Sequence, residues 1–201
     1  MAEDNFAKAI NIRQSVLGAR HHLVGQAMSN LGAIYMQQSQ AGLANRYAEA
    51  LPLLERAVEI ARMGNSEEKD DDLIVAFGNL AACKKGMGCM DEAIELMKDC
   101  IAMAENVKTG NCADRVAQAK HNLAVFYMDQ FKWDAAEPIL MDVLAVRERL
   151  LPPNHPAIGD TVECIAICMQ QAGRMDESIP WVQRRHQITA AAAQHGGAVL
   201  R

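Results

Sequence analysis

The sequence predicts an all-α fold made of repeated antiparallel helix hairpins, and three observations support this prediction. Only 4% of the 201 residues are aromatic, whereas β-sandwiches and barrels rely on aromatic and β-branched residues. Apolar residues recur at helical spacing along most of the chain. Similar segments also return every 42–49 residues, and a fixed period of this kind indicates a repeat architecture.

The elements follow in order from this repeat. We predict a leading helix over residues 5–17, and then four hairpins at about residues 21–63, 72–106, 113–149 and 156–190. Residues 1–190 are expected to form one repeat domain, and residues 191–201 a C-terminal tail. Polar or proline-rich connectors separate the hairpins, because such residues end helices and favour turns.

Each hairpin starts with the same type of first helix. The shared phrase is Asn, or Cys in the fourth hairpin, followed by a large apolar residue and a small residue, as in Asn30-Leu31-Gly32, Asn79-Leu80-Ala81, Asn122-Leu123-Ala124 and Cys164-Ile165-Ala166. Another small residue lies near the start of each second helix, at Ala50, Ala93, Ala136 and Ser178. Small side chains let two helices approach closely, so a bulky residue at these positions is expected to reduce stability.

Composition excludes several classes of protein. The net charge is −5 and there is no large basic block, so we do not expect nucleic acid as a partner. The sequence has no run of about 18 apolar residues, so it predicts no membrane span. Its first residues lack the apolar core of a secretory signal. We therefore expect a cytoplasmic, reducing environment, although an organelle stays possible.

The six cysteines are expected to be reduced and mostly buried, because no C-x-x-C motif is present. Cys164 and Cys168 lie four residues apart, and an alternative interpretation is that they bind a metal ion together with His155. We expect no metal and no cofactor. The sequence also lacks recognised nucleotide-binding and hydrolase motifs, so we expect a protein that is not an enzyme.

These residues resemble the tetratricopeptide repeat family. Leu31-Gly32, Tyr35, Ala50 and Ala57 match the family pattern. The longer period, and the connector Leu151-Pro152-Pro153-Asn154-His155-Pro156, resemble the variant found in kinesin light chains. The resemblance covers about residues 6–190 and implies a right-handed α-solenoid that binds proteins. Lys84 and Met169 depart from the pattern where Tyr is usual, as does Arg185 where a small residue is expected.

The resemblance also implies a binding surface, because the first helices of such repeats line a concave groove. Asn30, Asn79 and Asn122 hold equivalent positions, and their carboxamides can pair with the main chain of an extended peptide. An alternative is that these side chains bond to neighbouring helices or water. Helical spacing adds further groove candidates, namely Gln26, Gln37, Lys85, Gln118, His121 and Asp129, although His121 is also interpretable as a solvated residue.

Two hypotheses for function follow. The first is a non-enzymatic adaptor or scaffold that binds a peptide segment of a partner protein in its groove. The second is a structural subunit of a larger complex, docked through its ends or its convex face. The fold alone does not decide between them, because one architecture serves many functions.

Overall fold

The computed structural model describes residues 2–63, 69–105 and 113–196. These segments contain nine α-helices and no β-strand, which confirms the predicted all-α class for the described part of the chain. The helices are α1 Ala2–Leu17, α2 His22–Gln40, α3 Tyr47–Arg62, α4 Lys69–Gly86, α5 Met90–Glu105, α6 Ala113–Asp129, α7 Trp133–Leu150, α8 Pro156–Gln171 and α9 Met175–Gly196.

The chain divides into two compact units, Met1–Cys112 and Ala113–Arg201. Unit 1 holds α1 to α5, and unit 2 holds α6 to α9. Helix α9 runs to Gly196 and so extends past residue 190, where we expected the repeats to end. The reason is the alanine-rich sequence at that point, since alanine is the strongest helix former. Residues 197–201 of the predicted tail lie outside the described residues.

Packing within unit 1 follows the hairpin pattern. Helix α2 pairs with α3 and α4 with α5, while α1 packs on α2 and α3 packs on α4. The main chains of the first helices α2 and α4 also approach each other, whereas those of α3 and α5 stay apart in the described part of this unit. Helices α3 and α5 meet through a longer-reaching ion pair, in which Arg62 Nη2 lies 3.7 Å from Asp99 Oδ2. The first helices therefore lie closer together than the second helices.

Unit 2 repeats this arrangement. Helix α6 pairs with α7 and α8 with α9, and α7 packs on α8. The main chains of the first helices α6 and α8 approach each other, while those of α7 and α9 do not within the described residues. Helices α7 and α9 meet through an ion pair between Glu148 and Arg184. Both tryptophans of the chain, Trp133 and Trp181, are partly buried against the apolar core of this unit. Tryptophan fluorescence consequently reports on unit 2 alone.

Small residues stand where the helices of a hairpin approach. Ala50, Ala93 and Ala136 are completely buried at the start of their second helices. At Gly32 of α2, an added Cβ would lie 2.7 Å from Leu54 of α3, a side chain that is itself fully buried. The predicted close approach at these positions is thus present in the structure.

The turn inside each hairpin closes in the same way. Gly42, Gly88 and Gly173 have positive φ, and the same place in the third hairpin is taken by Phe131, with φ 59°. The N–H of Phe131 bonds to the carbonyl of Met128, and equivalent bonds close the other turns. A left-handed conformation costs about 1–2 kcal/mol in a residue other than glycine, so the third turn is the strained one. The Phe131 side chain is 77% exposed.

Two connectors share one helix cap. In the connector before α2, His21 Nδ1 accepts the N–H of Leu23 at 3.3 Å. In the connector before α8, His155 Nδ1 accepts the N–H of Ala157 at 3.2 Å. A side-chain acceptor at this position satisfies one of the N–H groups that have no partner inside the helix.

An arginine from the preceding helix, α1 or α7, completes each of these connectors. Arg13 Nη1 donates to the carbonyl of Leu23 at 2.7 Å, and Arg147 Nη1 donates to the carbonyl of Ala157 at 2.8 Å. In both connectors the arginine stands eight residues before the capping histidine. The two segments are therefore copies of one structural device.

Replacing Gly32 with alanine is expected to destabilise unit 1. The new methyl group would collide with Leu54, and overpacking of this kind typically costs about 1–3 kcal/mol. Gly78 of α4 provides a matched control, because an added Cβ there meets nothing within 4 Å. Gly78→Ala should be neutral or stabilising by up to about 1 kcal/mol through helix propensity. Urea unfolding followed by circular dichroism measures both, and equal stability of the two variants would contradict the packing argument.

Candidate functional site

The predicted groove residues of unit 1 lie on two first helices. Gln26, Asn30 and Gln37 are exposed on α2, while Asn79 and Lys85 are half-buried on α4. Gln26 and Asn30 lie one helical turn apart and line the same depression. Gln37 and Lys85 lie in the last turns of their helices and do not line it.

This depression is formed where α2, α3 and α4 meet. Its rim carries Gln26 and Asn30, and Ala61 of α3 and Val75 of α4 supply apolar walls. Val75 is 53% exposed, so the amides lie next to accessible apolar surface. A site of this composition can offer hydrogen bonds and apolar contact to one ligand.

Asn79 makes a bond between helices. Its Nδ2 donates to Ser29 Oγ of α2 at 2.9 Å, and Ser29 is only 3% exposed. The alternative interpretation of the asparagines, a bond to a neighbouring helix, therefore holds for one end of the Asn79 amide. The bond also helps to join the two first helices of unit 1.

In unit 2, three predicted residues come together on α6. Gln118 Nε2 donates to Asn122 Oδ1 at 3.0 Å. The half-buried His121 lies beside them, with its Nδ1 3.5 Å from Arg147 Nη1. His121 is therefore not a solvated residue. Asp129 is the last residue of α6 and is exposed, about two helical turns after Asn122.

Arg147 is the residue that the sequence analysis missed. It is 2% exposed, and its guanidinium donates to Gln118 Oε1 at 2.8 Å and to Thr161 Oγ1 at 2.7 Å, besides the Ala157 carbonyl. Its Nε has no hydrogen-bond partner. No carboxylate in the described part of the chain lies within ion-pair distance of it. The repeated eight-residue spacing between an arginine and a histidine is the signal in the sequence that could have identified Arg147.

Burial sets the electrostatics of this group. Burial lowers the pKa of Arg147, and the carboxylates of Asp114 and Asp160 act in the opposite direction. Burial, and then the positive charge of Arg147, lower the pKa of His121 to about 4, while Asp160 opposes the shift. His121 is consequently neutral at pH 7.

The depression of unit 1 and the arginine cluster of unit 2 occupy equivalent positions. Ala61 and Arg147 each lie eleven residues after the first small residue of their second helix. Gln26 and Gln118 each lie four residues before the asparagine of their first helix. In unit 1 the short Ala61 side chain leaves open the space that the Arg147 guanidinium fills in unit 2.

Other candidate sites gain no support. Among the described residues, no three His, Cys, Asp or Glu side chains are placed to hold a metal ion. Cys83, Cys100 and Cys168 are buried thiols, and burial raises the pKa of Cys100 to about 12 and of Cys168 to about 11. Cys112 lies outside the described residues. No helix in the described segments combines the length and the apolar character that crossing a membrane needs.

Two family models, each described as a tetratricopeptide repeat, match the chain over residues 1–63 and 116–157. Together these matches cover just over half of the chain. A search of curated proteins gave no match.

Solved structures show the same fold. Kinesin light chain TPR-like repeats of Podosopora anserina are 22% identical, with a TM-score of 0.73 over 96% of this chain and 87% of that one. BtubC of P. vanneervenii is 16% identical, with a TM-score of 0.58 over 95% and 91%. PlcR of Bacillus thuringiensis is 11% identical, with a TM-score of 0.69 over 98% and 68%. The likeness confirms the predicted α-solenoid of helix hairpins and extends the kinesin-light-chain resemblance to the level of fold.

The low pKa of His121 predicts a pH-dependent stability of unit 2. In the unfolded chain this imidazole becomes protonated as the pH falls below 6.5. In the folded chain it becomes protonated only near pH 4. Stability due to His121 is therefore complete above pH 6.5 and is lost as the pH falls toward 4. His121→Gln stays neutral in both states, so its stability should fall less between pH 7 and pH 5. Urea unfolding followed by tryptophan fluorescence measures this, and equal pH slopes for both proteins would refute the assignment.

Proposed function

The chain belongs to the tetratricopeptide repeat family, a family of protein-interaction scaffolds, and on this premise we propose that it binds an extended peptide segment of a partner protein. The segment would lie along the first helices of the repeats, and the chain would act as an adaptor or scaffold without enzymatic activity. The described cysteines are all thiols, which supports a reducing compartment such as the cytoplasm.

The observation that carries this proposal is the depression at α2, α3 and α4. It brings the exposed amides of Gln26 and Asn30 next to the exposed apolar side chain of Val75. An amide supplies both a donor and an acceptor, which suits the N–H and C=O of a peptide main chain. The apolar wall suits contact with an apolar group of a peptide, and the short side chain of Ala61 leaves a small space beside it.

Two further points support a protein partner. The PlcR structure, which shares this fold, is a complex with the peptide PapR7 and DNA, so peptide recognition is compatible with the architecture. For this chain the net charge of −5 disfavours nucleic acid, and a protein partner fits its composition better.

A second candidate function is favoured by the exposed face of α1. Ile12 is 62% exposed and Val16 is 74% exposed, and they lie one helical turn apart. Apolar pairs at this spacing are typical of helices that pack against another helix. This surface supports the alternative of a structural subunit, docked into a larger complex through one of its ends.

Peptide selection tests the proposal directly. We would select peptides from a displayed random library against the full chain and measure their affinities by fluorescence anisotropy. Ala61→Arg should fill the depression from beneath, as Arg147 does in unit 2, and weaken the selected peptides about tenfold or more, which is about 1.4 kcal/mol. Asn30→Ala should weaken them similarly through the lost amide, without disturbing the core.

Glu59→Ala is the matched control, because Glu59 lies on the second helix α3 and makes only an exposed ion pair with Arg56. Its affinity for the peptides should equal that of the wild type. If the peptides bind the Ala61→Arg and Asn30→Ala variants with the same affinity as the wild type, the proposed binding site is wrong. Peptides that lose affinity only when Val16 is replaced with Asp would favour docking through α1 instead.

A further inference from the structure

We infer that the Asn122 and His121 side chains of α6 present N–H donors to a ligand, so that this part of unit 2 selects an oxygen acceptor of a bound peptide, either a main-chain carbonyl or a side-chain carboxylate. This inference rests on the proposed function and specifies what one part of the site recognises. The residues that set the selectivity are Arg147 and Gln118, which act as positioning residues behind Asn122 and His121.

Arg147 fixes the orientation of Gln118. A guanidinium carries donors and no acceptor, so the Gln118 atom that lies 2.8 Å from Arg147 Nη2 must be the oxygen Oε1. The nitrogen of the same amide, Nε2, then points at Asn122. The direction of this amide follows from chemistry and does not depend on telling nitrogen from oxygen by position.

Gln118 in turn fixes Asn122. The Gln118 Nε2 group donates over 3.0 Å, so the Asn122 atom that receives it is the oxygen Oδ1. The remaining end of the Asn122 amide is the Nδ2 group, with two N–H donors. Asn122 is half-buried, and this donor end is the part of the side chain left to meet a ligand.

His121 adds a second donor. Its Nδ1 lies 3.5 Å from Arg147 Nη1, so this nitrogen faces a group that can only donate. A neutral imidazole that keeps Nδ1 as the acceptor carries its proton on Nε2. The Nε2–H group is then the donor at the other edge of the ring. Asn122 and His121 are neighbours on α6, and both offer N–H groups.

The charge behind these donors favours an acceptor with negative charge. Arg147 is almost completely buried, and the atoms that accept its bonds belong to an amide, a hydroxyl and a main-chain carbonyl, which are all neutral. Asp114 and Asp160 act on it at longer range, and Asp160 also lies 3.8 Å from Arg185. Hydrogen bonds to a charged acceptor are about twice as strong as neutral ones, so a carboxylate should bind more tightly than a carbonyl.

Unit 1 lacks this constraint. Asn79 donates to the hydroxyl of Ser29, and a hydroxyl can both donate and accept, so the Asn79 amide can turn over without losing its partner. Ala61 stands where Arg147 stands in unit 2 and provides no donor to orient Gln26. The orientation that Arg147 imposes is therefore particular to unit 2.

Gln118→Glu tests the orientation without any ligand. A glutamate keeps the size of the side chain and still accepts from Arg147, but it can no longer donate to Asn122. The Asn122 amide must then turn its Nδ2 group toward the new carboxylate. We expect the N–H groups of Asn122 to exchange with solvent about tenfold more slowly than in the wild type, as measured by NMR with labelled asparagine. Unchanged exchange would overturn the inference. Gln26→Glu in unit 1 is the matched control and should leave the Asn122 signal unaltered.

Three small blocked residues test the recognition. N-acetylglutamate N-methylamide offers a carboxylate, N-acetylalanine N-methylamide offers carbonyls alone, and N-acetyllysine N-methylamide offers a charged donor. The glutamate probe should shift the Asn122 and His121 side-chain signals at the lowest concentration, and Gln118→Glu should weaken this response about tenfold. A response to the alanine probe of equal strength would identify the main-chain carbonyl as the acceptor.

A response to the lysine probe as strong as that to glutamate would overturn the inference, as would no response to either acceptor. The result is distinguishable from failure of the proposed function. If no library peptide binds but Gln118→Glu slows the Asn122 exchange and glutamate shifts the two signals, the donor surface stands and the extended peptide site does not. If peptides bind at unit 1 and the exchange rate is unchanged, the proposed function stands and this inference falls.

Discussion

Close approach between the two helices of a hairpin is the constraint on which both units depend. Ala50, Ala93 and Ala136 are completely buried at these crossings, and an added methyl group at Gly32 would overlap Leu54. The small residues let a large side chain such as Leu54 fill the space between the two helices of its hairpin. Within each unit the first helices also approach each other.

On this scaffold one position changes the chemistry of the surface. Ala61 in unit 1 leaves a depression bordered by Gln26 and Asn30, whereas Arg147 in unit 2 fills the equivalent space and holds Gln118. The asparagines that look identical in the sequence therefore differ in the structure. The amide of Asn122 has a fixed direction, and the amide of Asn79 is bonded to a hydroxyl that accepts either direction.

The hairpins and most helix ends were predictable from the sequence, because the repeat places small residues and turns at regular positions. The extension of α9 past residue 190 follows from the helix propensity of its alanines, which the repeat pattern by itself does not show. The left-handed turn at Phe131 also gave no signal, because glycine marks the other turns. Arg147 escaped notice because its contacts join residues that are up to 29 positions apart, and only the folded unit brings them together.

The presence of Arg147 calls for a reason other than stability. A buried charge without an ion-pair partner is costly, and apolar replacements of buried charges are often neutral or stabilising. Ala61 and Ala104 occupy the equivalent position in other hairpins, so the scaffold packs without an arginine there. The bond of Nη1 to the first turn of α8 has a counterpart in Arg13, which makes that contact without being buried. What distinguishes Arg147 is the bond of Nη2 to Gln118, and the consequence of that bond is the direction of the Asn122 amide.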